Sequence, residues 1–198
     1  MSAAMDGRMK LGVVLLAAGK SERFGSNKLL ASFGGRPLVC RALEATRAVP
    51  AGRRCVVTGS DEIVALARKY GFDVIRNDSP QLGQSHSIRL GIRAMQDMDA
   101  VLLLVGDQPM LTGASLSRLV QVFAESDKGI ACLRDETHMG NPAVFAAKYV
   151  PELLALSGDR GAKGILRAHE QDLLIVDCMY PGELADADTP QALENLLK

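Results

Sequence analysis

The sequence predicts a single α/β domain built on one doubly wound, mostly parallel sheet. Three observations predict it. Short apolar runs alternate with amphipathic helical patterns along the chain, which is how parallel strands joined by crossover helices read. The runs are continuous in Val, Leu and Ile rather than alternating with polar residues, so they suit strands covered on both faces. The 198 residues, 47% of them hydrophobic, are enough for one such domain with a core of its own.

Leu11–Ala17 (LGVVLLA) is the first of these runs. A helical pattern follows from Pro37, which suits a first helical position, through Leu38, Ala42 and Val49. Cys55–Thr58 reads as the next strand. Ser60 is a good N-cap before Asp61 and Glu62, whose charges favour a helix start. Phe72–Ile75 is again strand-like, and Ile88, Gly91, Ile92 and Met95 follow helical spacing. Ala100–Val105 (AVLLLV) reads as a central strand, expected beside Leu11–Ala17. Thr112 caps a helix carrying Leu116, Leu119, Val120 and Phe123. Ile130–Leu133, Ala143–Phe145 and Leu173–Val176 are further strands, with room for a small antiparallel excursion between Asp135 and Pro181. Thr189 and Pro190 open a last helix with Leu193, Leu196 and Leu197. Residues 1–9 read as a flexible, polar N-terminal extension and 10–198 as one domain.

Composition narrows the function. Lys plus Arg and Asp plus Glu are both 23, and no basic cluster stands out, so a nucleic-acid footprint is not expected. The start lacks the apolar core of a secretory signal, and no run reaches the ~18 residues of a membrane span. Cys40, Cys55, Cys132 and Cys178 form no CxxC pair and sit within apolar runs, as reduced thiols of a cytoplasmic protein do.

The candidate site gathers at strand ends, where open α/β sheets bind ligands. After the first strand comes LAAGKSERFGSNKLL (Leu16–Leu30). Its small residues let backbone N–H groups approach phosphate oxygens, and Lys20, Arg23 and Lys28 supply compensating charge. It fits neither a Walker A loop nor GxGxxG: five residues separate Gly19 from Gly25, and Ser26 follows the second glycine. The alternative is an ordinary strand-to-helix turn, in which Gly, Ser and Lys are common. At the end of Ala100–Val105 comes GDQP (Gly106–Pro109). Mg²⁺ typically uses one or two carboxylates, phosphate oxygens and water. Asp107 is placed for that role, and Thr112 is available as the cap of the next helix. In ADADTP (Ala185–Pro190), Asp186 and Asp188 are both candidates for a second carboxylate, although capping by Asp188 or Thr189 would also explain the string. Gly83, Gln84 and Ser85 begin a helix, whose free N–H groups favour anions; Ser85 and Ser87 also fit as caps.

Taken together, these strings resemble the molybdenum cofactor cytidylyltransferases, within the nucleotidyltransferases of Rossmann-like fold related to nucleotide-diphospho-sugar transferases. Leu16, Ala17, Ala18, Gly19, Ser21, Arg23, Phe24, Gly25 and Lys28 match the family signature, and the matching motifs extend to Pro190. The resemblance implies a loop wrapped around NTP phosphates, with Arg23 and Lys28 contacting them. It implies Mg²⁺ on Asp107 and a second carboxylate, Asp188 favoured over Asp186. The LAAG form accompanies cytidine where related guanylyltransferases tend to show LAGG, so CTP is expected. LGQSHSIRLG (Leu82–Gly91) is similar to the motif lining the nucleotide pocket, which implies roles for Gly83 and Ser85. Asn141 and Pro142 in GNP, and Asp159 and Lys163 in GDRGAK, match motifs facing the acceptor. At the last position the family usually has arginine; lysine keeps the charge without the bidentate fork.

The implied reaction is CMP transfer from CTP to the terminal phosphate of a molybdopterin-type cofactor, with release of pyrophosphate. A phosphate monoester, dianionic near neutrality, needs no general base, in keeping with a chain of three histidines and no Ser–His or His–Asp pattern. The implied partners are CTP, a phosphorylated pterin and, transiently, a receiving molybdoenzyme. The alternatives are cytidylyl or guanylyl transfer to another small phosphorylated acceptor, and a non-catalytic nucleotide or cofactor carrier, which would not need metal carboxylates.

Overall fold

The computed structural model describes residues 9–19, 24–25 and 27–197. Among these the chain runs β1 (Leu11–Leu16), a hairpin of β2 (Ser32–Phe33) and β3 (Arg36–Pro37), α1 (Val39–Ala45), β4 (Arg53–Thr58), α2 (Asp61–Lys69) and β5 (Asp73–Arg76). It continues through α3 (Gln84–Arg93), β6 (Ala100–Val105), α4 (Gly113–Ala124), β7 (Ile130–Arg134) and β8 (Met139–Ala146). It ends with α5 (Val150–Ala155), α6 (Lys163–Ala168), β9 (Leu173–Asp177) and α7 (Pro190–Asn195).

Seven strands form one sheet in the order β5-β4-β1-β6-β8-β7-β9. β1 pairs in parallel with β4 on one side and β6 on the other. From β1 the chain winds outward through β4 and β5, then returns to place β6 on β1's other edge. The crevice between the ends of β1 and β6 is therefore the topological switch point. The antiparallel excursion is β8, which runs against both β6 and β7, while β9 returns parallel to β7.

The central strands β1 and β6 are apolar throughout because helices cover both faces. Along β1, Leu11, Val13 and Leu15 face a core shared with α1, α2, α4 and α7. Val14 and Leu16 face the opposite core, formed with α3, α5 and α6, as the two-residue strand period requires. Gly91 lets α3 press onto this second face: a Cβ there would lie 2.3 Å from Val14 Cγ1. Ser60, Thr112 and Thr189 cap their helices, accepting from Ile63 N, Ser115 N and Ala192 N.

Three expectations are corrected. Pro37 does not begin the helix; it pairs with Ser32 in the hairpin, and α1 starts at Val39. Neither Ser85 nor Ser87 caps α3, whose N-cap is Gly83. Residues 147–168, to which the sequence pattern assigns no element, carry α5 and α6. The cysteines are unpaired, three of them buried. Among the described residues, no helix is long and apolar enough to cross a membrane.

Candidate active site

Two adjoining hollows open at the carboxyl ends of β1 and β6. The larger, 680 Å³, is lined by Leu16, Ala18, Gly19, Lys28, Gly83, Asp107, Asp159 and Asp188, among others. The smaller, 300 Å³, is lined by Gln108, His138, Asn141, Lys163 and Asp186, among others. Leu16, Gln84, Val105 and Asp107 line both, so Asp107 stands where one hollow passes into the next.

Lys28 opens a short 3₁₀ turn, Lys28–Leu30, capped by the Asn27 side chain and anchored by buried Leu29. Its ammonium lies 2.6 Å from Asp107 Oδ2 and 2.9 Å from Asp188 Oδ1. Burial by itself would lower the lysine's pKa; the Asp107 and then the Asp188 carboxylate outweigh it, so the group is held above the ordinary value and stays charged. The cap of α7 is Thr189 rather than Asp188.

The segment carrying Asp186 and Asp188 is stitched to the GDQP turn. Ala187 N donates to the Asp107 carbonyl at 3.0 Å, and Gln108 Nε2 donates to the Leu184 carbonyl at 3.2 Å. Partial desolvation raises the Asp186 carboxyl above the usual carboxylate range, and the Asp107 charge adds to it.

The donor set suits a hard divalent cation. Asp107 Oδ1 is buried and has no hydrogen-bond partner among the described residues, although buried acceptors are almost always satisfied. Carboxylates such as those of Asp107 and Asp188 are of the hard oxygen type that Mg²⁺ takes, with phosphate and water completing its shell. Among the described residues, no three His, Cys, Asp or Glu side chains form a group that could hold a metal ion by themselves.

The other predicted residues divide. Ala17 is buried and, with Ala18 and Gly19, lines a third hollow. Ser85, expected at the nucleotide, is fully buried and donates to the Gly158 carbonyl at 2.6 Å; Ser87 lines the larger hollow instead, its Oγ 2.9 Å from Asn77 Nδ2. Asp159, expected on the acceptor side, lines the larger hollow and accepts from Gln84 N at the start of α3. Asn141 and Lys163 line the smaller hollow, while Pro142 is buried and lines neither. Ser21 and Arg23 lie outside the described residues, as does most of the 1–9 extension.

The sequence reading missed Gln84, Gln108, Asn77 and Ser87. Ser87 had a signal, as the second serine of the motif. Gln84 stands out only for its place at the helix start and Gln108 only as part of the GDQP string, neither with a side-chain role, and nothing near Asn77 marks it.

Comparison with known proteins agrees with this architecture. Residues 13–173 match the family described as the MobA-like NTP transferase domain. The chain is 30% identical over 156 residues to a protein of Pyrococcus horikoshii described as a probable molybdenum cofactor guanylyltransferase, covering 79% of this chain and 78% of that protein. It is 29% identical over 139 residues to the bifunctional protein GlmU of Janthinobacterium, covering 68% of this chain and 30% of GlmU's length. Among solved structures, a nucleotidyl transferase from Methanothermobacter superposes with a TM-score of 0.81 at 22% identity, over 96% of each chain; that is a likeness of fold.

Proposed function

Since this chain belongs to the MobA-like NTP transferase domain family, we propose that it transfers CMP from CTP to the terminal phosphate of a molybdopterin-type cofactor in the cytoplasm. The observation that carries the reading is Lys28, held in the larger hollow between Asp188 and Asp107, the second of which stands at the junction with the smaller hollow. One hollow suits the triphosphate and its nucleoside, the other the phosphorylated acceptor.

An acceptor phosphate oxygen forms a bond to the α-phosphorus, the bond to the bridging oxygen of the β-phosphate breaks, and pyrophosphate leaves. The chain's task is to bring these anions together and hold them in line, which is worth about 7–11 kcal/mol of barrier. Lys28 and Arg23 bind phosphate oxygens and neutralise the charge that grows on the leaving group. Ala18, Gly19 and Gly83 offer small surfaces to the nucleotide, with Ser87 beside them. Asn141 and Lys163 orient the acceptor. Asp107 and Asp188 would hold Mg²⁺, which supplies Lewis-acid stabilisation of phosphate charge when bound.

A second reading, GMP transfer from GTP to the same acceptor, is favoured by the likeness to the Pyrococcus protein. The experiment is pyrophosphate release with each of the four NTPs, with and without molybdenum cofactor. Release with CTP that depends on the cofactor supports the proposal; release with GTP alone selects the second reading. Release dependent instead on a sugar phosphate overturns the acceptor. Transient contact with a receiving molybdoenzyme completes the reading.

A further inference from the structure

Glu183 is a carboxylate that neither hollow includes and that the chemistry above does not use. It is 1% exposed, yet fully satisfied. Its Oε2 accepts from Thr112 N at 2.9 Å and Thr112 Oγ1 at 2.8 Å; its Oε1 accepts from Ser115 Oγ at 2.7 Å and Tyr180 N at 2.9 Å. Ser115 Oγ in turn accepts from Met179 N at 2.8 Å. One charge thus joins the first turn of α4 to the loop after β9, where a carboxylate also complements the helix dipole.

Both ends of this junction lead to the metal carboxylates. α4 begins just beyond the GDQP turn, with its cap Thr112 five residues past Asp107. The loop that Glu183 anchors carries Asp186 and Asp188 three and five residues further on. Beyond the Lys28–Asp188 pair, its other ties to the body of the fold include Leu184 N to Asp135 Oδ2 at 3.1 Å, Gln108 Nε2 to the Leu184 carbonyl at 3.2 Å and Ala187 N to the Asp107 carbonyl at 3.0 Å, each a single hydrogen bond. Glu183 is the one point in this loop where a buried charge fixes the backbone against α4.

We propose that Glu183 is a positioning residue that sets the separation of Asp188 from Asp107, and so sets the affinity of the site for its divalent ion. This rests on the metal reading of Asp107 and Asp188. Glu183→Gln keeps the size but turns an N–H₂ towards one pair of donors. Because backbone N–H groups sit in both pairs, either orientation of the amide breaks a bond that no hydroxyl rotation restores. The loop then shifts, and with it Asp188.

The test is Mn²⁺ binding, followed by electron paramagnetic resonance, to the full chain with a non-hydrolysable CTP analogue, alongside thermal melts. Glu183→Gln is expected to weaken Mn²⁺ binding by about 10–100-fold, the usual effect of removing a partner that orients metal ligands. Ser115→Ala, which removes one of the four hydrogen bonds to Glu183 together with the acceptor of Met179 N, weakens it by a smaller factor and decides the matter if Glu183→Gln does not fold. Asp172→Asn, a destabilising change at the opposite end of β8, lowers the melting temperature without changing Mn²⁺ affinity. If Glu183→Gln and Ser115→Ala bind Mn²⁺ as wild type does while Asp107→Asn does not, Glu183 is merely structural and the proposal is overturned. If Asp107→Asn keeps wild-type binding, the metal reading itself fails, and the proposal with it.

Discussion

Lys28 and Asp188 lie 160 residues apart in the chain and 2.9 Å apart in space. The same ammonium reaches Asp107 at 2.6 Å, so one cation gathers groups from three segments of the sequence.

The first prediction follows from that convergence. Lys28→Ala removes the cation that both carboxylates face and that, on the proposed function, binds the phosphates. Losing one preorganised charge-stabilising group typically lowers turnover by about 100–1,000-fold. Turnover in a pyrophosphate assay is expected to fall in that range, with a modest drop in melting temperature that Mg²⁺ with CTP reverses. A variant turning over at the wild-type rate removes Lys28 from the chemistry.

Much of this was legible because the signal was local. β1 and β6 are unbroken apolar runs, and their burial on both faces leaves little choice but adjacent central strands. Lys28, Asp107 and Asp188 each stand beside their own strand end or cap, so the strings around them carried the reading. Long-range and directional information was missing. Glu183 has partners 68 and 71 residues away, and nothing beside it marks a buried charge. Ser85 and Ser87 both sit in the first turn of α3; which one faces the cleft depends on the loop at Gly158, brought in by the fold. α5 and α6 have six residues each, too short for a periodic pattern to stand out.

Gly83→Ala tests how tightly the wall of the larger hollow is built. Gly83 has φ +81°, and a Cβ there would lie 2.7 Å from the Gly158 carbonyl oxygen, a backbone atom that cannot simply rotate away. The expected cost is about 1–3 kcal/mol of stability, with a raised KM for NTP because Gly158 and Asp159 line the same hollow. Urea melts and steady-state kinetics check both; unchanged values in both would mean the loop yields freely.

Asp172 gives a pH signature away from the site. It accepts from Tyr149 Oη at 2.6 Å and Gly129 N at 2.9 Å, and pairs with Lys148 at 2.7 Å. The Lys148 contact, then those of Tyr149 and Gly129, hold its carboxyl well below the usual carboxylate range. A depressed folded-state pKa contributes stability that is full above the unfolded value, about 3.9, and is lost as pH falls through the folded one. Asp172→Asn is therefore expected to be less stable than wild type by about 1–3 kcal/mol at pH 7, with the gap closing as the medium is acidified below about pH 4. A gap that stays constant down to acid pH contradicts the assignment.

Base preference is expected to be graded. On the proposed reading the Ala17–Ala18–Gly19 string is expected to favour CTP over GTP, and a methyl-sized change in a pocket is worth about 1–3 kcal/mol, or roughly 10–200-fold in kcat/KM. Competition between the two nucleotides measures the ratio; equal values reject the preference.

The central claim is that Asp107 serves nucleotidyl transfer through a divalent ion, and Asp107→Asn tests it most directly. Asparagine keeps the size and removes the charge, while Thr112 continues to cap α4. The measurement is the rate of pyrophosphate release as a function of Mg²⁺ concentration at saturating CTP and acceptor. The account predicts that the maximal rate collapses by about 100-fold or more, that the Mg²⁺ needed for half of it rises, and that the melting temperature stays close to wild type. A variant with near-normal rate and unaltered Mg²⁺ dependence would contradict the account.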